Sequence, residues 1–326
     1  MVVYIKKGDK THYLSGDLVP QVGVLFVDML TMTLDIPEKD HGTVIAKFQK
    51  AKENGDGKWI KKTAYQFCLK LSGVDEADIL VECCPTTSKN DKNSYRFIRI
   101  EFNPAKVNLP NLRKNIDFII PGGYALLMKQ GIVTRIDLTV DASYLDATDV
   151  VAMNPKVKVE RHYAKNGTIE TKYLGASSSN KQTVLYDKVA HLKHLNAKKE
   201  KALKTPLPPH NIFRIEQRLL KLNCTLNAVA SLPNPFTDLT LIAYPGAKLT
   251  DAYSPLWTLF LSACRFEGVN AALQHLSPEH QEEFKRRLHK EGRSDWWKPG
   301  KVWEGVSAAI KVILTVKSNS PSSLKP

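Results

Sequence analysis

In the segment from Thr134 to Asp141, TRIDLTVD, polar and apolar side chains alternate strictly from Arg135 onward. Successive side chains of a β-strand point to opposite sides of a sheet, so this alternation predicts a strand with one buried face. The apolar residues share that face, and the other face carries Arg135, Asp137, Thr139 and Asp141. Any fold of this chain must therefore provide a sheet that is apolar on one side and charged on the other.

Two further segments repeat the pattern of an arginine, an apolar residue and an acid. Tyr95 to Asn103 (YRFIRIEFN) carries Glu101, and Ile212 to Leu220 (IFRIEQRLL) carries Glu216. If the three strands pair, their carboxylates converge on one sheet surface, where repulsion and burial are unfavourable unless cations compensate. Arginines on the same strands supply part of that compensation: Arg99, Arg135, Arg214 and Arg218.

The acidic strands admit two interpretations. Each arginine–acid pair, taken alone, is typical of a cross-strand ion-pair ladder on a solvated sheet face. Three such strands in one chain favour a site for a hard divalent cation, Mg²⁺ or Mn²⁺, which takes carboxylate oxygens together with substrate phosphate. We predict that Asp137 and Glu216 hold this metal, with Asp141 as a third ligand and Glu101 as a further candidate.

A second candidate element is the segment from Tyr173 to Lys188, YLGASSSNKQTVLYDK. A tyrosine hydroxyl attacks phosphorus only while losing its proton, and an ordinary pKa near 10 means that a metal or a lysine must assist. Tyr186, with Lys188 two residues later, meets this need, although a half-buried tyrosine at a strand end is the commoner role. The loop Gly175 to Asn180 (GASSSN) can present backbone N–H groups and hydroxyls to a phosphate.

The remaining segments predict an α+β fold, with a central antiparallel sheet, helices packed on one face and a helical C-terminal domain. Residues 24–35 read as a first core strand followed by a lysine-rich loop, and residues 109–130 as helices interrupted by a turn. A hairpin turn is expected at Lys165 to Thr168 (KNGT). The predicted domains are a domain over 1–222 that carries the candidate catalytic residues, a helical domain over 223–316 and a disordered tail over 317–326.

The charge balance points to a polyanionic partner. The chain has 47 basic and 33 acidic side chains, a formal net charge of +14, and DNA or RNA fits this excess better than a membrane does. Without an N-terminal apolar segment or a long apolar run, a cytoplasmic location is expected, and the five cysteines are interpreted as reduced packing residues. The candidate DNA contacts are Arg135, Arg214, Arg218, Ser177, Ser178, Ser179, Lys181, Lys193, Lys198 and Lys199.

Four motifs in fixed order resemble the Rep_trans family of rolling-circle replication initiators. They are Val-Asp-x-Leu-x-x-Thr at 27–33, Thr-Arg-Ile-Asp-Leu-x-Val-Asp at 134–141, Tyr-Leu-Gly…Leu-Tyr-Asp-Lys at 173–188 and Arg-Ile-Glu-x-Arg-Leu at 214–219. Each motif is short, and the order carries the resemblance. The His-x-His metal ligands of the wider nicking-enzyme superfamily are absent, and the nearest pattern, His191-Leu-Lys-His194, is interpreted as a solvated helix face.

The resemblance implies an enzyme that nicks supercoiled origin DNA and stays joined to the 5′ phosphate through tyrosine. Tyr186 then corresponds to the nucleophile, and Asp137 and Glu216 to metal-binding acids. The implied partners are origin DNA in double- and single-stranded form, a host helicase and DNA polymerase, and a homodimer is one assembly that the resemblance allows. Two alternatives stay open: a relaxase-type nickase of a mobile element, and a non-catalytic protein that binds origin or single-stranded DNA.

Overall fold

The computed structural model describes residues 3–7, 10–14, 20–55, 57–61, 64–71, 78–85, 97–165, 168–198, 205–243, 254–291 and 296–316. The strands are β1 Val3–Lys7, β2 Lys10–Leu14, β3 Gln21–Val22, β4 Phe26–Asp35, β5 Gly57–Trp59, β6 Tyr65–Leu71, β7 Ile79–Pro85, β8 Phe97–Phe102, β9 Ile132–Ser143, β10 Val150–Met153, β11 Glu160–Lys165, β12 Thr168–Leu174, β13 Lys181–Asp187, β14 Ile212–Thr225 and β15 Thr240–Ala243. The helices are α1 His41–Glu53, α2 Leu109–Ile119, α3 Gly123–Gln130, α4 Lys188–Ala197, α5 Ser254–Glu267, α6 Val269–Gln274, α7 Pro278–Glu291, α8 Pro299–Glu304 and α9 Val306–Leu314.

An 11-stranded sheet dominates the described chain. Its strands follow the order β11-β12-β13-β14-β9-β4-β8-β7-β6-β5, and β3 pairs with β9 beside this path. All the described pairings are antiparallel. The long strands β9 and β14 lie side by side in the middle, so the charged residues of the two motifs face each other. The predicted α+β class with a central antiparallel sheet is confirmed.

The apolar residues of the alternating strands form the main core with helices α2, α3 and α9. Ile136, Leu138 and Val140 of β9 are fully buried, as are Ile116 of α2 and Leu127 of α3. The helical pieces predicted over 109–130 are confirmed, and residues 120–122 separate them. The core leaves the opposite, polar face of the sheet for the charged side chains.

A second, smaller core lies under helices α5, α6 and α7. Trp257, Phe260 and Phe284 pack on one another there, against Val151 of β10 and Ile242 of β15. Helices α8 and α9 belong instead to the main core, where the Trp297 indole N–H donates to the Leu239 carbonyl at 2.9 Å. Apolar packing therefore crosses residue 222, and the domain boundary placed there stays a prediction.

The prediction of a lysine-rich loop after the first core strand is wrong, because residues 41–53 form helix α1. Val44, Phe48 and Ala51, spaced four and three residues apart, are buried and place one helix face on the core. The lysines of this segment occupy its solvent face. The segment therefore has the amphipathic period of a helix, which its lysine content obscured.

Several other expectations have direct outcomes. The five cysteines, all within the described ranges, form no disulfide, and four of them are buried. No helix in the described ranges is long and apolar enough to cross a membrane. The predicted disordered tail at 317–326, the hairpin turn at 166–167 and Lys199 lie outside the described residues.

Candidate active site

The strand register brings the predicted site residues together on the polar face. Tyr186 of β13 is opposite Arg214 of β14, which is opposite Asp141 of β9. Glu216 is opposite Thr139, and Arg218 is opposite Asp137. Residues paired across a sheet point to the same side, so the phenol and the acids share one surface.

Asp137 and Glu216 are buried and share an arginine. Arg135 donates to both carboxylate oxygens of Asp137, at 2.9 and 2.6 Å. The Nε of Arg218 lies 2.5 Å from Glu216 Oε1 and 3.8 Å from Asp137 Oδ2. Both acid side chains are only 4% exposed. The two carboxylates therefore flank one guanidinium, and each already has an arginine partner.

Asp141 makes a different contact from the one predicted for a third metal ligand. Its two carboxylate oxygens accept from Nε and NH2 of Arg214, at 2.7 and 2.8 Å. The Arg214 guanidinium also lies over the Phe26 ring, 5.1 Å from its centroid, and 5.9 Å from the Tyr186 ring centroid. In this structure Asp141 positions Arg214 beside the tyrosine, and a ligand role for it stays a prediction.

The hydroxyl of Tyr186 lies 3.5 Å from the NH1 of Arg214. Burial raises the pKa of this phenol above its ordinary value, Arg214 acts in the opposite direction, and the charges of Glu216 and Asp28 raise it further. The phenol is thus protonated at neutral pH, and its use as a nucleophile requires a cation or a base to help remove the proton.

Asp28 joins the same surface and was missed as a site residue. It lies where the pairing of β4 with β9 shifts register between Val27 and Met29. Its carboxylate is 3.6 Å from Arg214 NH1 and accepts from Asn103 Nδ2 at 3.1 Å. The aspartate stands in the Val-Asp-x-Leu motif, which was the available signal.

Helix α4 begins at Lys188, two residues after Tyr186, and carries the basic side chains Lys188 and His191. The Asp187 carboxylate accepts from the Val189 and Ala190 N–H groups at 2.8 and 2.9 Å and caps the helix start. Burial, followed by the positive charges of Arg214 and Lys106, lowers the pKa of Lys188 to about 8. Lys188 is therefore a cation that loses its proton close to neutral pH.

His191 is exposed, as expected for a solvated helix face, but its ring also contacts the nucleophile candidate. The His191 and Tyr186 ring centroids are 5.4 Å apart in an edge-to-face arrangement. Partial burial and then the charge of Lys188 lower the pKa of His191 to about 4, so the imidazole is neutral at pH 7. The histidine pair that was interpreted as a solvated helix face therefore also places the His191 ring beside the phenol.

The residues present fit a two-carboxylate metal site. Burial is the main cause that raises the pKa of Glu216; Arg218 acts in the opposite direction, and the charges of Asp137 and Asp28 add smaller increases. A cation bound beside this buried carboxylate would favour its charged form. Each carboxylate oxygen has two lone pairs, so an arginine partner leaves one for a metal. Within the described ranges no group of three or more His, Cys, Asp or Glu side chains could hold a metal. A Mg²⁺ ion needs only one or two carboxylates when substrate phosphate and water complete its shell.

The hydroxyl of Thr139 is a buried polar atom between these acids. Thr139 is fully buried, and its Oγ1 has no hydrogen-bond partner among the described residues. A buried hydroxyl without a partner is destabilising. Its position opposite Glu216 suits a water or a hydrated cation.

We expect Thr139→Val to raise the free energy of unfolding by about 1 kcal/mol in EDTA, because valine removes the unpaired hydroxyl. Urea denaturation measures the change. Thr183→Val is the matched control, since the buried Thr183 hydroxyl donates to Gln217 Oε1 at 3.1 Å and its loss should be destabilising. Destabilisation of both variants by the same amount would show that the Thr139 hydroxyl has a partner in solution.

Glu101 belongs to a neighbouring cluster. It is paired with Arg99, which also binds the buried Glu82, and it accepts from Thr31 Oγ1 at 3.1 Å. Strand β4 separates it from β9 and the Asp137–Glu216 pair. Glu101 therefore lies on the same sheet face but not beside Tyr186.

The serine loop lies at the other end of β13 from Tyr186. Lys181 is five positions before Tyr186 on the strand, a distance of about 17 Å. The loop lines a cavity of about 470 Å³ together with Lys156 and Lys158. A phosphate held by Ser177, Ser178, Ser179 or Lys181 would thus be distant from the Tyr186 hydroxyl. Lys193 and Lys198 are exposed on and after α4.

The fold and this surface define an α+β protein whose antiparallel sheet carries a site of carboxylates, arginines and a tyrosine. The chain is 36% identical over 105 residues to a replication initiation protein of Staphylococcus aureus, and two further Staphylococcus aureus proteins of that name are 36% and 35% identical over the same length. The match covers 31% of this chain and 30% of each relative.

A solved structure of a rolling circle replication initiator protein from Geobacillus stearothermophilus is also similar. Its TM-score is 0.38 at 15% identity, covering 72% of this chain and 91% of that one. No family model matches the chain.

Proposed function

We propose that the protein initiates rolling-circle DNA replication by nicking one strand of its origin, with Tyr186 as the nucleophile. The observation that carries the proposal is the shared surface: the phenol of Tyr186 lies against Arg214, on the same sheet face as Asp137 and Glu216. The similarity to replication initiation proteins supports replication as the process, and the net charge of +14 supports DNA as the partner.

In the proposed reaction Tyr186 Oη forms a bond to the scissile phosphorus while the bond between phosphorus and the 3′ oxygen breaks. The phenol proton passes to a base of the protein, and the departing 3′ oxygen takes a proton from solvent. Arg214, held in place by Asp141, donates to the phenolate and stabilises the charge that develops at phosphorus. A Mg²⁺ or Mn²⁺ ion on Asp137 and Glu216 would supply Lewis-acid stabilisation of the phosphate oxygens.

Lys188 is our candidate for the base that accepts the phenol proton. Its pKa of about 8 leaves a usable neutral fraction near neutrality, and it follows Tyr186 by two residues on the helix that Asp187 caps. An ordinary lysine, with a pKa above 10, would be almost entirely protonated. The environment therefore adapts this lysine for proton transfer.

The rate of adduct formation is expected to rise with pH through about 8, because the neutral form of Lys188 increases above its pKa. Lys188→Arg keeps the charge but cannot lose its proton, so this inflection should disappear. Single-turnover rates over a pH series measure the effect. An unchanged inflection near pH 8 in the arginine variant would exclude Lys188 as the base, and it would exclude His191 as well, because the pKa of that imidazole is lowered to about 4.

The proposed function is tested by incubating the protein with supercoiled DNA that contains its own gene and flanking sequence, with Mn²⁺ or Mg²⁺. A nick at one position, with protein linked to the 5′ end, is the expected result. Nicking at a site beside transfer genes would favour the relaxase alternative. Binding that needs no metal and yields no nick would favour the non-catalytic alternative and contradict the proposal.

A further inference from the structure

Two tyrosines and two arginines form a continuous surface at the β11 edge of the sheet, here called the edge platform: Arg161, Tyr163, Tyr173 and Arg218. The rings of Tyr163 and Tyr173 meet edge to face, with centroids 5.6 Å apart. The guanidiniums of Arg161 and Arg218 lie over the Tyr173 ring, 5.3 and 6.0 Å from its centroid. The Tyr163 side chain is 53% exposed.

The edge platform is on the same sheet face as the proposed active site. Tyr163 is opposite Thr171 in the β11–β12 pair, and Thr171 is opposite Tyr186 in the β12–β13 pair. Tyr173 is in turn opposite Val184, the cross-strand partner of Glu216. Two strand spacings separate β11 from β13, which is about 10 Å. Roughly three stacked nucleotides at 3.4 Å each span that distance.

The composition of the edge platform is unusual for a surface whose only role is to stabilise the fold. An aromatic ring exposed on an outermost strand adds little to a core, and two guanidiniums over one ring repel each other. The Arg161 Nε is buried and has no hydrogen-bond partner among the described residues. Aromatic faces beside arginines are what unpaired nucleobases and the phosphates between them bind.

We propose that the edge platform binds unpaired DNA next to the nick, with Tyr163 and Tyr173 stacking on nucleobases and Arg161 contacting a phosphate. This inference rests on the proposed function for the location of the nick. Stacking requires bases that are out of a duplex, so the edge platform selects single-stranded over double-stranded DNA. Arg218 links the two surfaces, because it contacts both the Tyr173 ring and Glu216.

The test measures DNA binding separately from cleavage, in the full-length Tyr186→Phe protein and in EDTA. The probe is a fluorescein-labelled oligothymidylate of about 16 nucleotides, compared with a duplex of equal length, and binding is followed by fluorescence anisotropy. We expect Tyr163→Ala and Tyr173→Ala each to weaken single-strand binding by roughly tenfold. Tyr163→Phe and Tyr173→Phe keep the ring and should bind within about twofold of the parent.

Two further variants sharpen the test. Phe118→Ala is the matched control, since Phe118 is an exposed aromatic on α2, which packs on the other face of the sheet, and its removal should not change binding. Arg161→Gln should reduce the slope of log affinity against log salt by about 0.7, the value for one phosphate contact on a single strand. Thermal unfolding of each variant checks that the fold is kept.

The outcomes separate this inference from the proposed function. The alanine variants could bind oligothymidylate as the parent does, or they could lose single-strand and duplex binding equally. Either result would overturn the proposal that the edge platform binds unpaired DNA, even in a protein that nicks its origin. A selective loss of single-strand binding in a protein that never nicks would support the edge platform and remove the nicking proposal.

Discussion

Replacing Tyr186 with phenylalanine is expected to abolish the covalent protein–DNA adduct and to leave DNA binding and stability nearly unchanged. The substitution removes only the hydroxyl, whose contact with Arg214 is long at 3.5 Å, so the free energy of unfolding should change by about 0.5 kcal/mol or less. Loss of a nucleophile costs at least about 10³-fold in rate. A denaturing gel of labelled, nicked DNA measures the adduct.

Tyr173→Phe is the matched control for this prediction. Tyr173 is a second tyrosine on the same face, one strand away on β12, and its hydroxyl has no role in the proposed attack. The control variant should form adduct at the parental rate. If Tyr186→Phe keeps its adduct while Tyr173→Phe loses it, the nucleophile is Tyr173, and the contact between Tyr186 and Arg214 has another purpose.

The strands that carry the site were predictable because their alternation is strict. In β9 an apolar residue follows Arg135, Asp137 and Asp141, and in β14 one follows Arg214 and Arg218, although Gln217 follows Glu216. Burial of the apolar face therefore places these charged side chains on the opposite face. Strand register was not predictable, since it depends on pairings between residues more than 70 positions apart, such as Arg214 with Asp141. The convergence of Asp137, Glu216 and Tyr186 was therefore an inference from motif order rather than from local pattern.

The features that were missed share a physical cause: each interrupts or disguises a local pattern. Asp28 reaches the site because a register shift at Val27–Met29 breaks the alternation of β4. Helix α1 is hidden by lysines that occupy its solvent face while Val44, Phe48 and Ala51 pack inward. The contact of His191 with Tyr186 depends on the angle between helix α4 and strand β13. The periodicity of the sequence within a strand or a helix does not predict that angle.

A second large loss of cleavage is expected for Glu216→Gln. This variant distinguishes a metal site from an ion-pair ladder. The Glu216 side chain is 4% exposed and 2.5 Å from Arg218, so glutamine keeps the shape and an acceptor for Arg218 but removes the charge. If Glu216 binds metal, the variant should lose cleavage by more than about 100-fold, because loss of an outer-shell partner alone costs 10- to 100-fold. Gel assays of supercoiled DNA in a Mn²⁺ series measure the loss.

A thermal measurement gives a readout that does not depend on cleavage. A metal that binds only the folded protein raises its stability by about 2.7 kcal/mol at 100 times the Kd, so the parent protein should melt at a higher temperature in Mn²⁺ than in EDTA. Glu216→Gln should lose that increment. Glu101→Gln is the matched control, because Glu101 has the same arginine–acid pattern but lies on β8, beyond β4, and is paired with Arg99. This control variant should keep both the increase in melting temperature and the cleavage activity.

The ion-pair ladder makes the opposite prediction. In a ladder the acids serve only to neutralise arginines, so Glu216→Gln and Glu101→Gln would both be destabilised, by equal amounts with and without Mn²⁺. Equal melting increments in parent and Glu216→Gln proteins would therefore exclude Glu216 as a ligand. The carboxylates of Asp137 and Glu216 would then act by positioning Arg135 and Arg218 toward DNA phosphate, and the attack by Tyr186 would depend on arginine charge alone.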